Sequence, residues 1–254
     1  MAASMRALLS SADLIDLIVE VRDARVPRST AVARSHPKLR AKPALVLLNR
    51  DDLALSTSTT GWIADLAKDH IKAFRGVGTR AGTLRPLRDA LLNSKSKRGK
   101  IRVAVVGAPN TGKSSVINAL IRRKRAVVEN RAGVTRHLRW LPLDARVELL
   151  DTPGVLEPKI ASPVVAWQFA ACGILPETAY DPEAVVAELS NWIARHASSR
   201  VSLPHLQDFA AERGMLRRGG VADLSNAARS LLAAFREGSF GRITFELPKS
   251  EPAQ

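Results

Sequence analysis

The amino-acid sequence predicts an α/β domain followed by a small all-α domain, on three observations. Strand-like runs at 14–21, 44–49, 101–107 and 146–151 alternate with helical patterns at 61–69, 83–93 and 114–124. Such alternation argues a parallel sheet covered by helices on both faces. After about Pro158 the strand-like runs stop, and helical periodicity continues over 163–172, 182–197, 204–213 and 224–237. The expected division is therefore 1–158 and 159–254. The third observation is Gly107-Ala108-Pro109-Asn110-Thr111-Gly112-Lys113-Ser114, a full match to G-x-x-x-x-G-K-[ST] set between a strand-like run and a helical one. That string in that setting is a phosphate-binding loop, and its ligand should lie across the carboxyl ends of the strands.

Each residue type in the loop has a chemical reason. Gly107 and Gly112 let the backbone turn its N–H groups towards phosphate oxygens. Pro109, Asn110, Thr111 and Ser115 complete the cradle, and the helix starting near Lys113 adds its positive end. Lys113 should reach the β- and γ-phosphates, and the Ser114 hydroxyl should sit on Mg²⁺.

The rest of a nucleotide site is spread along the chain. Asp151-Thr152-Pro153-Gly154 follows the probable strand Val147–Leu150, about forty residues after the phosphate loop. Asp151 can hold a water on Mg²⁺, and the Gly154 N–H can approach the γ-phosphate. Between them Thr135 is placed to coordinate Mg²⁺ when the γ-phosphate is present. Asn49-Arg50-Asp51-Asp52 follows the apolar run 44–48. A carboxylate at Asp52 accepts from guanine N1 and its exocyclic amine, and adenine would leave it unpaired. Arg50 stands where lysine is usual; its stem can stack over the loop, and weaker nucleotide affinity is expected. Val155 follows the D-x-x-G string and cannot orient water, so intrinsic turnover should be slow. Base box, phosphate loop, Thr135 and D-x-x-G appear in a rotated order. The fold expected is thus a circularly permuted P-loop GTPase domain, with the polar stretch Asn93–Lys100 joining the old ends.

With these motifs in place, Asp23-Ala24-Arg25-Val26-Pro27 resembles the D-A-R-x-P signature of the YlqF/YawG family of circularly permuted GTPases. The likeness is nearest to bacterial ribosome-assembly members and their mitochondrial and chloroplast relatives. It extends to the C-terminal close, Ala227–Arg229 and Phe235–Glu246. The resemblance implies GTP hydrolysis coupled to late assembly of the large ribosomal subunit, with Mg²⁺ and often K⁺. The potassium role falls to the loop asparagine, Asn110. A hydrophobic residue at Val155 also fits the family. The family carries a Gly-His pair upstream of a Met-Ala stretch. This sequence opens Met1-Ala2-Ala3 in register with that Met-Ala and holds no such pair. His137 is only a remote substitute. Around Phe74–Thr79 no family residue can be carried over.

Net charge points to the same partner. Lys and Arg number 39 against 24 Asp and Glu, a formal +15. Of this, +14 lies between Arg80 and Arg139, which hold sixteen basic and two acidic residues; 161–254 holds nine basic and ten acidic. The basic stretch includes Lys95–Lys100, Arg122–Arg125, Arg131, Arg136 and Arg139. Its natural partner is a polyphosphate ribose backbone, which the resemblance implies is rRNA of a large-subunit precursor. A GTP-binding scaffold that docks on RNA and hydrolyses weakly stays open beside the enzyme. Val155, Arg50 and the missing histidine favour the scaffold; Lys113, Ser114, Thr135 and Asp151 favour catalysis. Cys172 is the only cysteine, which excludes an internal disulfide and is read as a small buried apolar residue. Trp167 and Trp192 are read as core. No eighteen-residue apolar run exists, so no membrane span is expected. A monomer is expected, in a bacterial cytoplasm or, with a transit peptide upstream, a mitochondrial matrix or chloroplast stroma.

Overall fold

Strand β1 (Leu17–Asp23) is buried along its whole length and forms the middle of a six-stranded sheet. The other strands are β2 (Ala44–Asn49), β3 (Lys72–Arg75), β4 (Ile101–Val106), β5 (Arg139–Pro142) and β6 (Val147–Asp151), in the order β3-β2-β1-β4-β6-β5. The computed structural model describes residues 8–32, 37–95, 99–121, 139–151, 160–197, 199–217 and 219–249. Thr135, His137, Gly154, Val155, Arg122–Arg125, Arg131 and Arg136 lie outside the described residues, as does the expected boundary at 158.

The strand pattern explains the topology. In β1, Leu17, Val19 and Val21 face one way and pack with Leu47, Val103, Val105 and Leu149. Helices α3 (Arg85–Leu92) and α4 (Lys113–Ile121) cover that face through Leu87, Leu91, Val116, Ile117 and Leu120. On the other face Ile18, Ala104, Val106 and Leu150 pack with Leu8, Ile15, Val32 and Leu39 of the short α1 (Pro37–Arg40). Val46 and Leu48 pack there with Trp62 and Leu66 of α2 (Ser56–Lys68). Period-two alternation thus feeds two cores, one per face. Chain order moves outward from β1 through β2 to β3, then returns to β4 on β1's other side. Strand order reverses between β1 and β4, where an open α/β sheet leaves a ligand crevice.

The sequence reading needs correction in places. The sheet is mixed: β5 runs antiparallel to β6. The connection between them is too short for a crossover. It is a tight hairpin in which the Asp144 carboxylate accepts from the N–H groups of Arg146 and Val147 at 2.8 and 2.7 Å. β3 carries Lys72 and Arg75 in four residues, a charged edge with little apolar signal. β1 starts at Leu17 because 12–14 forms a 3₁₀ turn. Helix α2 begins at Ser56, five residues ahead of the apolar pattern. Its Thr59 and Thr60 hydroxyls donate to the carbonyls of Leu55 and Ser56, so polar residues start it.

The helices beyond residue 160 follow their caps closely. Helix α5 (Pro163–Cys172) has Ser162 as N-cap, Pro163 in its first turn and left-handed Gly173 after it. Helix α6 (Pro182–His196) starts at Asp181-Pro182. Helix α7 (Leu206–Glu212) is short, and α8 (Leu224–Glu237) runs from the Asp223 cap to left-handed Gly238. Their core includes Phe169, Cys172, Leu189, Phe209, Leu231 and Phe235, together with Val26 from the D-A-R segment. Trp167 and Trp192 pack edge-on against Phe245 at 5.3 and 4.9 Å, as core residues. The chain end then returns to the sheet region: Ile243 N–H donates to Leu53, Phe245 N–H to Arg25, and Trp62 Nε1 to Glu246, at 2.7–2.9 Å.

At the end of β1, Asp23 and Arg25 are both buried and joined by paired hydrogen bonds of 3.0 and 2.8 Å. Burial pushes the Asp23 carboxyl up, but the guanidiniums of Arg25 and Arg50 outweigh it and hold it below its ordinary 3.8. Removing one partner of such a pair leaves a buried charge, at a cost of about 3–5 kcal/mol. Asp23→Asn should therefore lower the urea midpoint at neutral pH by a shift of that size. A carboxyl depressed in the folded state stabilises above its unfolded value, and the benefit fades as pH falls through the folded value. The gap between wild type and variant should shrink at acid pH, below about 3.8. A gap constant from neutral to acid pH would show that Asp23 is not ionised in the fold.

Candidate nucleotide site

Four chain segments leave the carboxyl edge of the sheet side by side. β1 ends in Asp23, β2 in Asn49, β4 runs into Gly107, and β6 ends in Asp151. The D-A-R, base-box and phosphate-loop strings and Asp151 thus converge on one edge, though they are far apart in sequence.

The phosphate loop is shaped by close approaches that only glycine allows. A Cβ on Gly107 would stand 2.4 Å from the Val21 carbonyl. One on Gly112, already at φ +92°, would stand 2.4 Å from Asn49 Nδ2. Asn110 also has positive φ, and its Nδ2 donates to the Ile174 carbonyl at 3.2 Å. Pro109 is half-buried, Thr111 is buried, and Ser114 and Ser115 are exposed on the first turn of α4. Lys113 is buried, with Nζ donating to the carbonyls of Gly107 and Ala108 at 3.1 and 2.7 Å. Burial lowers its pKa from 10.5 to about 8, and the nearby Asp151 carboxylate partly opposes that. Asp151 is pushed up by burial, with Lys113 pulling the other way. An ammonium and a carboxylate that both lose hydration here are suited to a polyanion and a hard cation.

The base box is tied into this loop. Asn49 is buried; its Nδ2 donates to the Thr111 carbonyl and its Oδ1 accepts from Gly78 N–H, both at 2.7 Å. Asn49 is therefore a strut holding the phosphate loop and the 76–79 loop in register. Asp52 is half-buried beside Arg80 at 3.3 Å, with its carboxylate on a cavity of about 530 Å³. Gly78, Thr79, Gly112 and Ser115 line the same cavity.

Arg50 reaches the phosphate loop and is tied to two further segments as well. Its φ is +59°, and its guanidinium reaches three acceptors. Nη1 donates to Asp23 Oδ2 at 3.2 Å and to the Cys172 carbonyl at 2.9 Å; Nη2 donates to the Asn110 carbonyl at 2.8 Å. Arg25 Nη2 donates to the same Cys172 carbonyl at 3.0 Å. A lysine carries one point of donation where this planar fork spans several.

Sequence reasoning missed several lining residues. Val77, Gly78 and Thr79 come from the loop after β3, for which no residue was expected; the Gly-x-Gly spacing is the only local signal. Cys172 and Gly173, at the end of α5, carry no motif; Arg236 and Glu237 lie in the C-terminal close that resembles the family, but no role at the nucleotide was expected of them. Cys172 itself is fully buried, and its thiol is pushed up to about 12, which suits packing and not reaction. Thr135 and Gly154 are not placed among the described residues.

Arg50→Lys should keep the charge but lose at least one of the ties to Asp23, Cys172 and Asn110. The expected result is about 1–2 kcal/mol less stability in urea and weaker nucleotide binding. Equal stability and affinity in both proteins would mean that Arg50 is a generic cation.

Comparison with known proteins agrees with this geometry. A family described as 50S ribosome-binding GTPase matches residues 102–189. The chain is 32% identical over 237 residues to ribosome biogenesis GTPase A of Thermotoga maritima, covering 93% of this chain and 87% of that one. It is 30% identical over 272 residues to ribosome biogenesis GTPase A of Bacillus cereus, covering 98% and 92%. Among solved structures, GNP-bound YlqF from T. maritima superposes with a TM-score of 0.75 at 30% identity, over 96% of this chain and 98% of that one. A GDP-bound YlqF structure superposes with a TM-score of 0.72. The permuted strand order, the motifs gathered at one sheet edge and these likenesses together establish that the chain belongs to the ribosome biogenesis GTPase A (YlqF) family of circularly permuted GTPases.

Proposed function

We propose that this GTPase binds GTP across the carboxyl edge of the sheet and uses its nucleotide state to control binding to a precursor of the large ribosomal subunit. The observation that carries the reading is that Asp52 shares a cavity with Gly112 and Ser115 at the phosphate loop, while Lys113 of that loop lies near Asp151 at the end of β6. In this reading the 107–115 backbone cradles the phosphates and Lys113 moves from loop carbonyls to phosphate oxygens. Asp52 reads the guanine edge, while Asn49 holds the loops that frame it.

The oxygen donors fit Mg²⁺: an exposed hydroxyl at Ser114 and a carboxylate at Asp151, with Thr135 as the third protein ligand. Bound there, Mg²⁺ would neutralise charge that develops on the phosphates. Asn110 fits K⁺, because its amide nitrogen donates to Ile174 and its oxygen is the ligating end. Lys113, Thr135 and Gly154 are the groups assigned to the γ-phosphate. In this reading residues 1–158 are the GTPase domain and 159–254 a helical domain that contacts rRNA. The net positive charge between Arg80 and Arg139 supports an RNA partner. Among the described residues no helix is long and apolar enough to cross a membrane. The protein would act as a monomer, in a bacterial cytoplasm or an organellar matrix.

Asp52→Asn should lower GTP affinity and raise relative affinity for xanthosine nucleotides, since an amide can donate where the carboxylate only accepts. Calorimetric titration with both nucleotides checks this; an unchanged preference would remove Asp52 as the base reader. Sedimentation with large ribosomal subunits tests the partner. Binding should be tighter with a non-hydrolysable GTP analogue than with GDP and should fall steeply with added salt. Nucleotide-independent, salt-insensitive association would contradict the reading.

A further inference from the structure

The cavity beside Asp52 is not built by the nucleotide motifs alone. One wall is made of Cys172 and Gly173 at the end of α5 and of Arg236 and Glu237 at the end of α8. This wall is fastened to the base box. A Cβ on Gly238 would stand 2.8 Å from Leu53 Cδ2, and the Leu53 carbonyl accepts from Ile243 N–H at 2.9 Å. Thr244 Oγ1 accepts from Leu55 N–H at 3.0 Å. The end of α8 therefore moves with the Asp52 loop.

The two charged side chains on the wall differ in what they can do. Arg236 is committed: its guanidinium donates to the carbonyls of Ala170 and Ala171 and to the Tyr180 hydroxyl, and pairs with Glu177. It also supports Gly173, whose Cβ would stand 3.2 Å from Arg236 Cδ. Glu237 is exposed, lines the cavity and pairs with no side chain among the described residues.

A guanosine nucleotide has few donors. The base offers N1–H and the exocyclic amine; the ribose offers its hydroxyls; its other polar atoms accept. A carboxylate can only accept. Asp52 takes the base edge, which leaves the ribose hydroxyls for a second carboxylate in the same cavity. We infer that Glu237 accepts hydrogen bonds from the ribose hydroxyls of the bound nucleotide, a specificity-determining contact supplied by the C-terminal helices. The inference rests on the placement of guanine nucleotide proposed above.

Calorimetry on the full chain separates the possibilities, using GDP, 2′,3′-dideoxy-GDP and IDP. Wild type should bind GDP about tenfold tighter than the dideoxy nucleotide, the scale of one hydrogen bond to a charged group. Glu237→Ala should lose about tenfold for GDP and bind both sugars alike, with discrimination against IDP intact. Glu237→Gln, which keeps a neutral acceptor, should fall between. Unchanged GDP affinity in Glu237→Ala, with wild type binding GDP normally, would overturn the ribose contact and leave the nucleotide site standing. Loss of discrimination against IDP in place of the dideoxy nucleotide would move Glu237 to the base edge and also overturn it. Failure of wild type to bind GDP at all would remove the nucleotide site itself.

Discussion

The Asp23 carboxylate, fully buried at the end of β1, is the constraint on which the other parts depend. It holds the guanidiniums of Arg25 and Arg50, and both donate to the carbonyl of Cys172. That carbonyl closes helix α5, where partial negative charge accumulates. Two arginines there satisfy a helix end that would otherwise be buried without partners. One acid offsets one of their two positive charges, and the partial negative charge of the helix end faces the remainder. Without Asp23 the buried Arg25 and the half-buried Arg50 would face each other unpaired; without the arginines a buried carboxylate and a helix terminus would lack donors.

This arrangement gives the D-A-R string a physical meaning. Asp23 and Arg25 do not line the nucleotide cavity. They set the position of α5, and through Arg50 they reach the Asn110 carbonyl in the phosphate loop. Asn110 answers by donating to Ile174, two residues past the end of α5. The phosphate loop and the C-terminal helices are thus held by contacts in both directions. Asn49 adds the third side of the frame, joining Thr111 to Gly78. A change in phosphate-loop geometry has a short, polar route to helices α5 and α8. Such a route can carry coupling when both ends have two arrangements.

Much of this was legible in the sequence, for physical reasons that differ by element. The phosphate loop is a contiguous string whose glycines and lysine have no substitutes, so its place and chemistry could be read directly. The helices after residue 160 were legible because their ends carry caps: Ser162-Pro163, Asp181-Pro182 and Asp223 at starts, Gly173 and Gly238 at stops. β3 and β5 were not legible, because four residues with charged or proline ends give no period to read. The ties made by Arg50 were not legible, because its acceptors, Asp23, Asn110 and Cys172, are distant in sequence. The place of Glu237 was not legible for the same reason, although it lies in the C-terminal close: an exposed glutamate at a helix end has meaning only once the fold sets it on the same cavity as Asp52.

The central claim is that the nucleotide edge and the C-terminal helices are one mechanically joined unit, held through Asp23, Arg25 and Arg50. Hydrogen–deuterium exchange with and without GDP tests it most directly, because amide protection reports local opening free energy element by element. The account predicts that GDP slows exchange in the phosphate loop and base box and also in helices α5 and α8, beyond the residues that line the cavity. Protection confined to the sheet region and its loops, with α5 and α8 exchanging at the same rate in both states, would contradict it.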